Sequence, residues 1–560
     1  MSILDKVAGN IELDANSVWR LRGPKSFDYS DGESSEEYLR DVFQKAGDLS
    51  SQSYELERYV RDWPSEYHLS RKRSQLLRGF TFDRNARVLE VGCGCGAITR
   101  YLGETFDDVV AIEGSPTRAT LARMRTRDMP NVSILNAPFQ DVRFKTPFDI
   151  IFCIGVIEYS KMFVGGPDPH DSVLRFFSDM LAPDGAVVIA IENQFGLKYF
   201  ASSAEDHNGI MFDGLEAYPR HDTHRTFGYG ELRERLARHF REIRFLFPYP
   251  DYKLPSCVLS EEAFRKANFG EVIGNFAPRD YSKARTPVFD QRLVLMELAK
   301  NGMLHFFSNS FLVVAGKADS ARVAFDALGI LFSDHRKKEF QTVTRIAEHK
   351  DGSVWAEKRC LDSGASSGRA VTLRGYKERW LGSDSIQMRV LKKAKRKEIA
   401  FSELFEPCGL WMEKIRSMAV MNSGELVVDG RYVDCIWANS FVENGRCVFI
   451  DNEWAWKGDI RVNVLFIRSA YYLLNEIRGM RDLNVQLAKG GTKSLVEKIG
   501  RELGVKIGRK DWEDFWRLEA EFTGTVTGGR GTWGNRLLKK VRRALSRVWE
   551  PGNRRSAVAG

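Results

Sequence analysis

Little in this sequence invites a disulfide, a zinc knuckle or a membrane span. Eight cysteines are spread over 560 residues and none is spaced C-x-x-C, which argues against both a disulfide framework and a zinc site. No run approaches the roughly 18 apolar residues of a membrane span, and the start, Met1-Ser-Ile-Leu-Asp-Lys6, lacks the charged-then-apolar layout of a signal peptide. The expected location is therefore the cytoplasm, where free thiols stay reduced. A broadly basic body is missing too. Nine Lys or Arg between Arg530 and Gly560, against the single acid Glu550, carry +8 of the net +9. The rest is nearly neutral, so a nucleic-acid partner, which wants a basic face along a phosphate backbone, is disfavoured. No internal repeat is visible.

What is present is a globular composition, 43% hydrophobic and 28% charged, in a chain long enough for two or three cores. It is organised around Arg87-Val-Leu-Glu-Val-Gly-Cys-Gly-Cys-Gly-Ala-Ile-Thr99. Val88, Leu89 and Val91 read as a buried parallel strand, and Gly92, Gly94 and Gly96 permit a tight turn into the next helix. A ligand can then lie against bare backbone at a helix amino terminus. A second apolar run, Val109 to Ile112, ends at Glu113, 21 positions after Gly92. A carboxylate there suits the ribose hydroxyls of a nucleoside. Gly92-x-Gly94-x-x-Ala97 also fits a dinucleotide fingerprint, so a nicotinamide or flavin site and a ligand-free turn stay open. Glu90 weighs against the dinucleotide: at the mouth of the strand it repels a pyrophosphate and attracts a ligand bearing an ammonium and a sulfonium. Cys93 and Cys95 read as small fillers of the turn.

Glu90-Val-Gly-Cys-Gly-Cys-Gly96, Glu113, Phe148-Asp-Ile-Ile-Phe-Cys-Ile-Gly-Val-Ile-Glu-Tyr159 and Leu181-Ala-Pro-Asp-Gly-Ala-Val-Val-Ile-Ala-Ile191 together resemble the class I S-adenosylmethionine-dependent methyltransferases over about residues 60–250. The resemblance implies S-adenosylmethionine as cofactor, held by Glu90, Gly92, Gly94, Gly96, Glu113, Asp141 and Cys153. Strand-like runs at 87–91, 109–113, 132–135, 149–154 and 186–191 alternate with helix-like segments. That alternation reads as an α/β, doubly wound, Rossmann-like parallel sheet with its ligand at the carboxyl ends of the strands. Asn136-Ala-Pro-Phe-Gln-Asp141 should pass the adenine, with Asp141 or Gln140 on its amine and Phe139 on the ring; a turn or cap role for Asp141 is the alternative. Residues 53–80 read as helical. His68 and Arg73 there are helix surface or satisfied core, or else a lid over the cofactor carboxylate.

The acceptor side follows the fifth strand. Ile191-Glu-Asn-Gln-Phe-Gly-Leu-Lys-Tyr-Phe-Ala201, Glu205-Asp-His207 and Tyr218-Pro-Arg-His221 form a long polar and aromatic insertion at the ligand end, where long loops are usually functional. With the Tyr67-His-Leu-Ser70 stretch it is similar to methyltransferases of bacterial surface-polysaccharide clusters. This implies O-methylation of a surface glycan or a lipid-linked precursor; a small metabolite, RNA or protein is the alternative acceptor. An alcohol needs alignment with the sulfonium and a base for its proton. His207 is the expected base, oriented by Asp206 or Glu205, with His221 and His224 as rivals. Glu158 is expected near the methyl group or on a solvent-facing helix.

Farther on, Ala327–Ser333, Phe340–Ile346 and Ser353–Leu361 read as strands joined by short turns. Asp434, Asn439 five residues on, and Asp451 closing an apolar run resemble the catalytic loop and metal-binding aspartate of kinase-like phosphotransferases. This implies an α+β domain in which Asp434 orients an acceptor hydroxyl, Asn439 and Asp451 hold Mg2+, and Lys358 meets the phosphates of ATP. Three departures stand against activity. The turn Asp334–Lys338 has no glycine, no His precedes Asp434, and about 20 residues separate Lys358 from the hinge-like Trp380–Ser385, too few for a helix bearing the lysine's usual glutamate. A degenerate binding module or glycan-assembly scaffold is the alternative. In the tail, Leu538, Val541, Leu545 and Val548 share one helical face among lysines and arginines. That suits an anionic membrane surface, which would place the protein at the inner face of the membrane; a solvated tail or a partner-docking helix is the alternative. The expected organisation is a lead-in over 1–58, the methyltransferase domain over 59–255, a connector over 256–305, the kinase-like domain over 306–522, and a Gly-rich linker and basic tail over 523–560. The oligomeric state is not encoded in any of these features.

Overall fold

The structure, a computed structural model, describes residues 3–23, 30, 32–276, 278–281, 287–333, 335–361, 370–480, 482–488 and 490–527. The basic helix expected at 536–549 and the linker past Thr527 lie outside the described residues; Thr523 to Thr527 form the last turn of a helix instead. The chain divides into two compact units, Met1–Leu331 with Ile346–Glu348, and Phe332–Arg345 with His349–Gly560.

In the first unit the apolar runs become strands that are mostly buried on both faces, as a helix-covered parallel sheet requires. They are β1 (Val88–Val91), β2 (Val109–Glu113), β3 (Val132–Asn136), β4 (Phe148–Ile154), β5 (Leu181–Glu192), β6 (Glu242–Tyr249) and β7 (Ser310–Gly316). Their order across the sheet is β3-β2-β1-β4-β5-β7-β6. Pairing is parallel from β3 to β5: Val109 faces Val132, Val88 faces both Val109 and Ile150, and Ile189 faces Cys153. β7 runs antiparallel between its neighbours, with Val188 opposite Val314 and Phe245 opposite Val313. Because the chain moves outward from β1 through β2 to β3 and then returns to β4, the carboxyl ends of β1 and β4 flank a topological switch point, where such sheets bind ligands.

Two expected boundaries move. Residues 256–305 do not end the domain as a connector, because β7 wedges between β5 and β6 and Cys257–Ser260 pairs with β6. The lead-in is likewise part of the unit: Trp19–Leu21 joins β3 in parallel, with Trp19 opposite Leu135. Helices α1 (Ala97–Thr105) and α2 (Pro116–Arg125) follow β1 and β2. Leu102, Ala119 and Ala122 from them, with Phe106 just past α1, share one buried cluster with Val88, Ala111, Ile134, Ile150 and Val188 of the sheet. Residues 53–80 hold a helix at Trp63–Leu69, capped where Asp62 accepts the Ser65 N–H at 2.9 Å, and a short one at Lys72–Gln75.

The second unit contains an antiparallel pair, Val354–Cys360 with Tyr376–Arg379, that sets Lys358 opposite Tyr376. Helices Ile386–Ala394, Cys408–Met418, Val462–Ile477 and Arg509–Thr527 follow, with a hairpin of Ser440–Glu443 and Arg446–Phe449 among them. No helix among the described residues is long and apolar enough to cross a membrane.

Candidate functional site

The glycine turn is built as its composition requires. Gly92, Gly94 and Gly96 take φ of +74°, +54° and +81°, a region L side chains rarely enter. A Cβ on Gly92 would stand 2.4 Å from Val156 Cγ2, and one on Gly96 2.9 Å from Ala122 Cα. Glu113, at the end of β2, ties the turn down: its Oε2 accepts the Gly94 N–H at 2.7 Å and its Oε1 the Ser115 N–H at 3.0 Å. Each oxygen keeps a further lone pair for a ligand hydroxyl. Glu90 is buried, and desolvation pushes its carboxyl up to about 7, with Glu113 adding to the shift and Arg73 opposing it.

These groups line a cavity of about 390 Å³. Beyond the turn its wall takes in Trp63, Tyr67, His68, Arg73, Phe139, Glu158, Tyr159, Asp206, His207 and Lys253. Arg73 donates to the Lys253 carbonyl at 2.8 Å and lies over the Tyr67 ring, so the stretch that was an open choice between surface and lid belongs to the cavity wall. Two expected cofactor residues do not reach it. Asp141 is exposed at the end of the short 3-10 helix Phe139–Asp141, and only Phe139 of that turn faces the cavity. Gln140 donates instead to the Phe163 carbonyl at 2.9 Å. Cys153 lies fully buried within β4 and does not line the cavity, and burial drives its thiol pKa upward.

At the far end the insertion after β5 assembles a charged cluster. His207 Nδ1 lies 2.7 Å from Glu205 Oε1, and Nε2 lies 3.8 Å from Glu158 Oε1 and 3.7 Å from Glu192 Oε2. Glu205 also accepts the His207 and Asn208 N–H groups at 2.7 and 2.9 Å and faces His224 Nε2 at 3.3 Å. Of the two residues expected to orient His207, only Glu205 does so. Asp206 points away, bonded to Lys198 Nζ at 2.7 and 2.9 Å and to Lys253 Nζ at 2.7 Å. Burial would raise its carboxyl, but the two ammonium groups hold it low. Three carboxylates surround the His207 ring. Burial alone would depress its imidazole, yet Glu192, Glu205 and Glu158 outweigh burial and raise the pKa well above its usual value. The shift favours the protonated imidazole, whose ring nitrogens donate hydrogen bonds. Glu158 is buried in the cavity wall, and desolvation raises its carboxyl, the tuning a carboxylate base needs near neutral pH. Of the rival histidines, His221 Nε2 faces Asp213 at 3.0 Å, while the His224 ring lies tilted against that of His207 with centroids 4.7 Å apart.

Sequence reasoning missed Glu192, Lys198 and Lys253. Glu192 had a visible signal: Val-Val-Ile-Ala-Ile-Glu192 repeats the apolar strand ending in a carboxylate seen in Val-Val-Ala-Ile-Glu113. The lysines had none.

In the second unit Lys358 Nζ lies 2.5 Å from Asp451 Oδ1 and 3.1 Å from Glu453 Oε2. Asn439 Nδ2 donates to Asp434 Oδ2 at 3.1 Å, and Arg468 Nη1 holds Asp434 Oδ1 at 2.8 Å. Asp451, with φ of +56°, also accepts the Tyr376 hydroxyl at 2.8 Å. The four expected residues are thus drawn together as two pairs. The carboxylate partners of Lys358 are Asp451 and Glu453, which follow it by many residues in sequence, and not a glutamate on an intervening helix.

A protein-family model described as a methyltransferase domain matches residues 89–189. Nodulation protein S of Bradyrhizobium diazoefficiens is 28% identical over 116 residues, 20% of this chain and 54% of that protein. The ubiquinone biosynthesis O-methyltransferase of Hydrogenovibrio crunogenus is 24% identical over 125 residues, 22% of this chain and 49% of that one. The chain thus spans about half the length of these two relatives. Among solved structures, the N-methyltransferase NodS from Bradyrhizobium japonicum WM9 in complex with S-adenosyl-L-homocysteine is 19% identical, covering 37% of this chain and 88% of that chain, with a TM-score of 0.23. A TM-score this low adds nothing to the domain match. Residues 89–189, which hold the glycine turn and both of its carboxylates, Glu90 and Glu113, thus match a methyltransferase domain.

Proposed function

We propose that this protein transfers the methyl group of S-adenosylmethionine to a hydroxyl of a surface glycan or its lipid-linked precursor. The observation that carries the reading is one cavity joining the glycine turn and Glu113 to Glu158, Tyr159 and His207. The cofactor would set its ribose hydroxyls on the open lone pairs of Glu113 and its cationic end toward Glu90. The acceptor oxygen attacks the methyl carbon in line, the O–C bond forms as the S–C bond breaks, and Glu158 takes the hydroxyl proton. His207 and its carboxylates fix the acceptor oxygen in that geometry, and alignment of this kind supplies much of the rate. The aromatic faces of Trp63, Tyr67 and Tyr159 beside carboxylates and an imidazole suit a polyhydroxylated acceptor. The test is transfer of labelled methyl from S-adenosylmethionine into purified host polysaccharide, RNA, protein and metabolite fractions in parallel. Label confined to the polysaccharide supports the reading, and label in any other fraction alone replaces it.

A second reading is favoured by the Lys358–Asp451 and Asn439–Asp434 pairs: a nucleotide-handling, kinase-like site in the second unit, with Lys358 toward the phosphates of ATP and Asn439 and Asp451 toward Mg2+. Those residues carry oxygen donors and a fixed cation of the right kind, although Asp451 must release Lys358 or Tyr376 to take a metal. Phosphate release from ATP that disappears in Asp451→Ala supports it; absence of nucleotide binding leaves a scaffold module.

A further inference from the structure

We propose that Glu158, Glu192 and His207 form a binding site for a divalent metal ion at the acceptor end of the cavity, with Glu205 orienting the histidine from behind. The metal site stands on geometry alone; only its part in catalysis rests on the methyl-transfer reading.

The donor atoms of these three residues all lie within 4.8 Å of one another. His207 Nε2 is 3.8 Å from Glu158 and 3.7 Å from Glu192. Those separations are too long for hydrogen bonds. They are close to the spacing of ligands around one cation at the roughly 2.0–2.2 Å bond lengths of nitrogen and carboxylate donors. Glu192 Oε2, the oxygen that faces His207, is buried without a hydrogen-bond partner in a side chain that is 0% exposed, while Glu158 turns Oε1 to the histidine and keeps its other oxygen, Oε2, buried and unbonded. A buried carboxylate oxygen such as Glu192 Oε2, without a donor, is costly unless something positive sits beside it. The local charge balance agrees. Lys198 and Lys253 are bonded to Asp206, and Lys253 also reaches Glu192 Oε1. Two ammonium groups therefore face four carboxylates, those of Glu158, Glu192, Glu205 and Asp206, and a divalent ion taking the place of the proton on His207 Nε2 removes the excess.

The histidine is oriented as a ligand would be. Nδ1 is bonded to Glu205 Oε1 at 2.7 Å, which turns Nε2 toward Glu158 and Glu192. A metal-ligating histidine usually gives its other N–H to a carboxylate in this way. Glu205 with His207 and His224 is a second cluster of potential ligands. The Glu205 oxygens already take the two backbone N–H groups and the His207 ring, so it serves the site from outside. One imidazole with two carboxylates suits Mn2+, Fe2+ or Zn2+ better than Ca2+ or Mg2+. An acceptor hydroxyl entering as a further ligand would be held in line and made more acidic. Glu158 has a second oxygen to receive its proton.

The test uses the full-length protein stripped with EDTA and dialysed, then titrated separately with Mn2+, followed by electron paramagnetic resonance, and with Zn2+, followed by calorimetry. One equivalent of at least one ion should bind, about tenfold to a hundredfold more weakly in Glu205→Gln and at least as weakly in His207→Gln and Glu192→Gln. Titration of each variant with S-adenosylhomocysteine reports separately on folding and on the cofactor site, so a collapsed variant is recognised and His207→Gln and Glu192→Gln check each other. Absence of saturable uptake of both ions by the stripped wild-type protein overturns the proposal, and so does uptake unchanged in both ligand variants. Those results would describe a protonated His207 held by carboxylates, while cofactor binding would still stand or fall on the S-adenosylhomocysteine titration.

Discussion

Replacing Glu113 by Gln probes the cofactor end with the smallest change of shape. The carboxylate accepts two backbone N–H groups, from Gly94 at 2.7 Å and Ser115 at 3.0 Å, and offers its remaining lone pairs to the ribose diol. A hydrogen bond to a charged acceptor is worth roughly 1.5–3 kcal/mol against about 0.5–1.5 kcal/mol for a neutral one. Two ribose bonds weakened by about 1 kcal/mol each give a loss of about 2 kcal/mol in binding, while the amide N–H now facing a backbone donor costs stability in free and bound protein alike. The dissociation constant of S-adenosylhomocysteine should therefore rise about 30-fold. Calorimetry measures it, and thermal melting followed by circular dichroism shows whether the fold survives. An affinity within about threefold of wild type in a folded Glu113→Gln protein would refute the assignment of this carboxylate to the ribose, since the lost bonds alone predict at least tenfold.

Gly96→Ala puts a Cβ 2.9 Å from the Ala122 backbone at φ of +81°, so it should lower stability by about 1–2 kcal/mol from the backbone strain alone and more from the clash. Denaturant unfolding reads the difference. Glu90 has a folded pKa of about 7, above its unfolded value near 4.5. Between these limits the folded state binds more protons, so its contribution to stability is greatest below pH 4.5 and is lost as pH rises through 7. A cationic cofactor prefers the ionised form, so S-adenosylmethionine affinity should rise from pH 6 to 8 in wild type and be flatter in Glu90→Gln; equal profiles by calorimetry would count against this role. In the second unit, buried Arg468 bonds Glu519 at 2.6 Å and Asp434 at 2.8 Å. Arg468→Met leaves both carboxylates without that cation and should cost about 3–5 kcal/mol in chemical denaturation.

The parts of the fold legible in sequence were those where local pattern and tertiary demand coincide. β1, β2 and β4 lie within a helix-covered sheet, so each must be apolar on both faces, and a short apolar run ended by glycine or a carboxylate is enough to mark it. β7 escaped because Ser-Phe-Leu-Val-Val-Ala-Gly316 looks like any apolar run, and its partner β5 lies more than a hundred residues earlier. Nothing local records such a pairing. Trp19–Leu21 was hidden by its brevity and polar surroundings. In the site, Glu90, Glu113 and the glycines were readable because ligand contact and backbone geometry both constrain them. Asp206 and His207 are neighbours in sequence and part company in space, one toward Lys198 and Lys253, the other toward Glu158 and Glu192. Residue type could nominate both, but only the loop's path could separate their roles. The same holds for Asp141, which the 3-10 turn leaves exposed while Phe139 takes the cavity.

The proposed function requires first that S-adenosylmethionine occupy the cavity between the glycine turn and the Glu158–His207 cluster. Ultraviolet crosslinking of methyl-labelled S-adenosylmethionine to the intact protein, followed by peptide mapping, tests it directly. Label is expected in peptides carrying Glu90 to Arg118 or Ala137 to Tyr159, suppressed by excess S-adenosylhomocysteine. Label confined to peptides of the second unit, or label that S-adenosylhomocysteine does not displace, would contradict it.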